Sequence, residues 1–209
     1  IEPIQGEGGV IVPPEGYLKS AYEICKTHNV KMIADEIQSG LGRSGKLFAY
    51  EYEGIKPDVV TIGKALSGGC YPVSAVLSSK EILGVFKPGD HGSTFGGNPL
   101  GAAIARESIK VLIEEGLIEK SYELGNYFRR KLNEIKTDIV KEIRGKGLFI
   151  GVELKPEAGG ARQYCESLKK LGVLCKETHE NVIRFAPPLV ITKNEIDWAL
   201  EKVKKVIGK

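Results

Sequence analysis

Two residues of this 209-residue chain have the types and settings to do covalent chemistry together, Asp35 and Lys64. Asp35 closes the run Val30-Lys31-Met32-Ile33-Ala34, and Lys64 follows Val59-Val60-Thr61-Ile62-Gly63. Both runs read as short buried strands, and each stops at a polar or glycine-rich turn. If the two strands are parallel, carboxylate and amine emerge at the same sheet edge, where open α/β sheets bind ligands. An amine and an acid offered there suit Schiff-base chemistry: pyridoxal phosphate needs the amine for its aldehyde and the acid for its ring nitrogen. Taken alone, Lys64 reads as a surface amine and Asp35 as a turn or helix-capping aspartate.

Five more residues have a chemical reading. Ile37 can pack on a ring face, and Gln38 can donate to a ring hydroxyl. Ser93-Thr94 lies among glycines before a helix, where hydroxyls and free N–H groups suit a phosphate or simply form a loop and cap. Arg184 sits inside the apolar run Val182-Ile183-Arg184-Phe185. A buried arginine needs an anion. Its fork matches a substrate carboxylate, or it forms a structural pair with a residue such as Glu7. His91 receives no role.

The elements that position these residues alternate between helix and strand in the first part. A helix is predicted over about 14–28 after Pro13-Pro14, then strands at 30–34, 59–63 and 73–78, and a short helix over 80–86. Asn98-Pro99 opens a long helix that stops at Gly116. After that the pattern is mixed: a helix over 118–135, antiparallel strands at 139–144 and 148–154, and a helix over 161–171. Short strands follow at 173–175 and 182–185. Thr192 and Glu195 form a capping box for a last helix, whose Val203, Val206 and Ile207 face inward. The expected fold class is α/β. Residues 1–116 are the end of a large, mostly parallel sheet domain with its linking helix, and 117–209 form a smaller α+β domain.

Composition limits the partners. The chain is 42% hydrophobic, and 30 basic against 27 acidic residues give a net charge of +3. That balance argues for neither nucleic acid nor membrane. No apolar stretch approaches the roughly 20 residues that span a bilayer. Four cysteines and three histidines have no metal-ligand spacing, so no metal is expected and reduced thiols suit a reducing compartment. The chain opens on Ile1-Glu2-Pro3 without an initiator Met, and we expect it to be the C-terminal portion of a longer protein.

Several stretches in register resemble the class III aminotransferases of fold type I. They are Glu2-Pro-Ile-Gln-Gly-Glu7, Ile33-Ala-Asp-Glu-Ile-Gln38, Gly40-Leu-Gly-Arg-Ser-Gly45, Gly63-Lys-Ala-Leu-Ser-Gly-Gly69, His91-Gly-Ser-Thr-Phe-Gly-Gly-Asn-Pro99, Arg144-Gly-Lys-Gly-Leu148 and Arg184-Phe-Ala-Pro-Pro-Leu189. Within that class, the residues after Lys64 and Arg184 are most similar to the branch that transfers the δ-amino group of ornithine to a 2-oxo acid, with 2-oxoglutarate the foremost candidate. The resemblance implies a pyridoxal 5'-phosphate cofactor with Lys64 as the Schiff-base lysine, Asp35 on the pyridinium, Gln38 on the ring hydroxyl and Ile37 against the ring. Ser93 and Thr94 would reach the phosphate of the neighbouring subunit's cofactor, making a homodimer the active unit. Arg184 would bind the substrate α-carboxylate, Glu7 would pair with Arg184 when ornithine is bound, and Glu2 would support the site from behind. Such enzymes are roughly twice this length, beyond one ordinary domain. A companion N-terminal half would then supply the main phosphate loop and the grip on ornithine's own carboxylate. The compartment implied is the cytoplasm, or the mitochondrial matrix in a eukaryote. Alternatives are an acetylornithine or other ω-amino acid aminotransferase, or a non-catalytic dimerising remnant.

Overall fold

The structure is a computed structural model and describes residues 1–208. The first sheet has three strands in the order β1 (Ile33–Asp35), β2 (Val59–Ile62) and β3 (Ala75–Ser78). β1 and β2 are parallel, with Asp35 registered on Thr61, while β3 runs antiparallel to β2. The C-terminal ends of β1 and β2 therefore share one edge, as the positions of Asp35 and Lys64 require.

Helix α1 (Tyr17–Thr27) precedes β1 and packs Leu18 against Met32 and Ile55. It ends three residues before the point at which the strand is expected to begin. Asn29 takes a left-handed conformation (φ 53°), and the Val30 N–H reaches back to the Cys25 carbonyl at 2.8 Å. Together with Asn29 N–H on the Lys26 carbonyl (3.1 Å), this closes the helix in a Schellman arrangement. Val30 is thus part of a helix exit. Met32 in turn gives its N–H to Asp58 Oδ2, so the ladder starts only at Ile33.

After β3 come the one-turn helix α2 (Lys80–Leu83) and the long helix α3 (Pro99–Glu114). Asn98 caps α3 by accepting from Gly101 N–H at 2.7 Å, with Pro99 at the first helical position. Gly116 (φ 62°) separates α3 from α4 (Leu117–Asn133).

A second sheet is wholly antiparallel, in the order β4 (Val140–Lys146), β5 (Phe149–Leu154), β7 (Val182–Phe185), β6 (Lys176–Thr178). One face carries Ile150, Val152, Leu154, Ile183 and Phe185. It packs against α4, α5 (Arg162–Lys170) and α6 (Lys193–Ile207) through Phe128, Leu168, Ile196 and Val203. Full burial of each such aliphatic side chain contributes about 1.5–3 kcal/mol. Thr192 and Glu195 make the expected capping box. The strand expected at 173–175 lies instead at 176–178. Val173 drops into the core while Leu174 is 82% exposed, and pairing with β7 begins only at Lys176.

The other face of this sheet receives the loop of residues 5–11, whose ends bridge at Gln5 and Ile11. The docking row crosses all four strands. Arg144 registers on Gly151, Gly151 on Arg184, and Arg184 on Lys176. A Cβ at 151 would lie 3.1 Å from both the Gly9 carbonyl oxygen and Val10 Cβ, so glycine leaves the notch into which the loop fits. Beside the notch, Arg144 Nε and Nη2 donate to the Gly9 carbonyl, and Nε also reaches the Val10 carbonyl. Its Nη1 pairs with Glu153 and Glu142.

Candidate active site

The site begins at the turn after β1. Asp35 ends the strand, and its Oδ1 accepts the Ile37 N–H at 3.1 Å, folding the chain so that Ile37 and Gln38 turn inward. Among the described residues no protein donor reaches Oδ2. The turn is held by its neighbour Glu36, which is 1% exposed. Glu36 accepts from Ser39 Oγ at 2.6 Å and from the Tyr50 N–H at 2.9 Å. Burial pushes its carboxyl pKa up, against the opposing pull of those hydrogen bonds.

Lys64 begins a single 3₁₀ turn, Lys64–Ser67, directly after β2. Its backbone is left-handed (φ 44°), an uncommon conformation for a non-glycine residue. Its side chain is exposed, and no described residue bonds or pairs with its amine. Strained backbone of this kind clusters at functional sites.

Lys64, Ile37, Gln38 and Arg184 line one cleft of about 1020 Å³. That volume suits a cofactor together with a small substrate. Arg184, on β7, is 15% exposed and donates from Nη1 to Glu7 Oε1 at 2.7 Å and to Gln38 Oε1 at 3.2 Å. Gln38 thus joins the β1 turn to the second sheet. Glu7 is anchored through its own carbonyl, which accepts from Thr178 Oγ1 at 2.6 Å, and its Oε2 takes Lys176 Nζ at 3.3 Å. The Arg184 hydrogen bond and charge hold the Glu7 carboxyl below its ordinary pKa, with Lys176 adding to the effect and slight burial opposing it. Glu2 Oε2 accepts the Gly6 N–H at 3.1 Å, and Gly6 packs against the Gln38 amide. The structure leaves Ser93 and Thr94 apart from this group, on an exposed loop before α3 and outside the cleft lining.

Three residues with no forecast role also belong here. Arg43 lines the cleft, and burial lowers its pKa to about 10. Its Nη1 donates to the Pro187 carbonyl (2.5 Å) and the Leu148 carbonyl (3.1 Å). Thr61, the register partner of Asp35, keeps its Oγ1 buried without a hydrogen bond. Lys176 completes the Glu7 cluster. Arg43 lies in the glycine-rich stretch Gly40–Gly45, but its partners are 105 and 144 residues away. Nothing local points to them.

A family model described as aminotransferase class-III matches residues 1–207. The chain belongs to the class-III aminotransferase family. Within that family it is 63% identical to an ornithine aminotransferase of Geobacillus sp. (strain WCH70), over 99% of this chain and 51% of that protein. The solved ornithine aminotransferase of Plasmodium yoelii is 48% identical with a TM-score of 0.93, covering 99% of this chain and 55% of that one. An acetylornithine aminotransferase from Elizabethkingia anophelis is 50% identical at the same TM-score and the same two coverages. This class-III chain spans about half the length of the curated relatives it matches. The α/β, fold-type-I architecture holds, with one parallel and one antiparallel pair in its first sheet.

The donor set fits the cofactor that class-III aminotransferases use, pyridoxal phosphate. Among the described residues, the Lys64 amine has no protein partner and shares a cleft with Gln38, while Asp35, at the end of β1 and outside the cleft lining, keeps one carboxylate oxygen without a protein donor. No helix among the described residues is long and apolar enough to cross a membrane.

Proposed function

We propose that this chain carries the proton-transfer and acceptor-binding part of an ornithine δ-aminotransferase. The reaction moves the δ-amino group of L-ornithine to 2-oxoglutarate and gives glutamate 5-semialdehyde and L-glutamate. The observation that carries the reading is the junction of Lys64, Gln38 and Arg184 on one cleft, with Glu7 seated on Arg184. The relatives named ornithine aminotransferase support it.

Bound pyridoxal phosphate supplies an aldehyde that exchanges its oxygen for the amino group and a ring that takes up an electron pair. Lys64 Nζ acts as the base that takes a proton from the δ-carbon of ornithine. In the return half it gives one to the α-carbon of the new glutamate. Asp35 keeps the ring nitrogen protonated, because a nearby anion raises that pKa. Ile37 packs on the ring, and Gln38 donates to its hydroxyl from its Nε2 while its Oε1 accepts from Arg184.

Arg184 and Glu7 let one cleft take two unlike substrates. With Glu7 on Arg184 the pair is neutral, which suits ornithine, whose reacting end carries no carboxylate. When Glu7 lets go, the guanidinium fork is free for the α-carboxylate of 2-oxoglutarate or glutamate. Glu2 supports the loop through Gly6.

The same reading assigns residues 1–116 to the end of the large cofactor domain and 117–209 to the small domain. Ser93 and Thr94 serve the phosphate of a second subunit in a homodimer. A companion N-terminal half completes the pocket. The setting proposed is the cytoplasm, or the mitochondrial matrix in a eukaryote.

Borohydride reduction of the completed, cofactor-loaded protein, followed by peptide mapping, should place a pyridoxyl group on Lys64. An unmodified Lys64 overturns the reading. The likeness to the E. anophelis acetylornithine aminotransferase favours acetylornithine as a second substrate reading. Faster turnover of acetylornithine than of ornithine would establish it in place of the first.

A further inference from the structure

Glu7 is held by two cations, and the proposed switch uses only one of them. Lys176 and Arg184 are direct register partners on neighbouring strands, so both side chains leave the same face of the sheet. Like charges directly opposite on a sheet repel. Here a carboxylate lies between them: Glu7 Oε1 meets Arg184 Nη1 at 2.7 Å, and Oε2 meets Lys176 Nζ at 3.3 Å. Among the described residues these are the two cations that pair with Glu7. They differ in setting. Arg184 is 15% exposed and faces the cleft, whereas Lys176 is 60% exposed and is absent from the cleft lining.

We propose that Lys176 is a specificity-determining residue that holds Glu7 when Arg184 turns to an incoming 2-oxo acid. This inference rests on the proposed role of Arg184. A carboxylate expelled from Arg184 by a dicarboxylate substrate would otherwise sit beside that substrate with no counter-ion and repel it. Lys176 gives it an alternative partner on the solvent side, already in contact. Thr178 keeps the Glu7 backbone fixed through the exchange, because its hydroxyl binds the Glu7 carbonyl at 2.6 Å. The switch therefore becomes a choice between two bonds for one carboxylate. Lys176 biases the choice toward the state that accepts the oxo acid.

The test is a double-mutant cycle on the completed enzyme, reading each half-reaction separately. Lys176→Gln should raise KM for 2-oxoglutarate about two- to fivefold, the size an exposed ion pair supports. It should leave kcat unchanged and should not weaken the ornithine half-reaction, in which Arg184 stays covered. Lys176→Arg should restore the wild-type KM. In a Glu7→Gln background, Lys176→Gln should have no further effect on the oxo acid. An unchanged or lowered KM in the single variant overturns the inference. So does an equal rise that persists without Glu7, because Lys176 would then act on the substrate directly. Arg184→Gln separates the two levels of the argument. If it leaves KM for 2-oxoglutarate untouched, the reading of Arg184 itself falls. If it raises KM while Lys176→Gln does not, only the inference about Lys176 falls.

Discussion

Glu7 and Arg184 are 177 positions apart in the chain and 2.7 Å apart in space. Among the described residues, their pairing neutralises the one cleft-lining guanidinium that makes no bond to the backbone. Glu7→Ala should weaken the ornithine half-reaction about fivefold in kcat/KM, a size discounted for the exposure of the carboxylate. The glutamate half should change less or improve. Stopped-flow measurement of the two halves checks this, and equal losses in both would remove the switch.

The notch at Gly151 makes a related prediction by a steric route. A methyl there meets the Gly9 carbonyl and Val10 at 3.1 Å, so the loop carrying Glu7 must move by a few tenths of an ångström. Gly151→Ala should cost about 1–3 kcal/mol by overpacking. It should also reproduce part of the Glu7→Ala phenotype, although the variant keeps both charges. Urea unfolding and half-reaction kinetics on one preparation test the two effects together.

Arg43 predicts a stability effect. It satisfies the Leu148 and Pro187 carbonyls with one charged group. Hydrogen bonds to charged groups are worth about 1.5–3 kcal/mol each. Arg43→Ala should therefore lower stability by about 3–6 kcal/mol, measured by urea unfolding. A loss below about 1 kcal/mol would mean that water takes over both carbonyls.

Glu36 predicts a pH dependence. The folded protein keeps the Glu36 proton to a higher pH than the unfolded chain, whose ordinary value is 4.5. Between those two values the native state binds more protons, so this residue makes stability fall as pH rises. Glu36→Gln should remove that slope and leave the variant at least as stable as the wild type near neutral pH. Unfolding midpoints for both proteins from pH 4.5 upward decide the matter, and parallel curves would contradict it.

The parts legible in sequence were those encoded locally. Asp35 and Lys64 stood out because a β-branched run stops at each, and the parallel register of β1 and β2 follows from that pattern. The Asn98 cap and the Thr192–Glu195 box were legible because a cap spans only a few residues. Arg184 stood out as a charge in an apolar run, which raised Glu7 as a partner. Lys176 did not, because its meaning depends on the register of β6 against β7. The apolar stretch 173–175 points to a strand three residues too early, whereas the pairing begins at Lys176. Arg43 and Gly151 act across more than a hundred residues, and no window of sequence contains both ends of their contacts.

The row Arg144, Gly151, Arg184, Lys176 presents three cations across one sheet face, and the loop of residues 5–11 lies on it as an internal competitor. Its carbonyls and the Glu7 carboxylate occupy these donors as a bound inhibitor would, at an effective concentration set by a short tether. On the proposed role of Arg184, an incoming oxo acid competes with a ligand that the protein carries itself. Lengthening that tether would dilute the competitor without removing a single contact, so polymer length alone would shift the balance between the two proposed substrates.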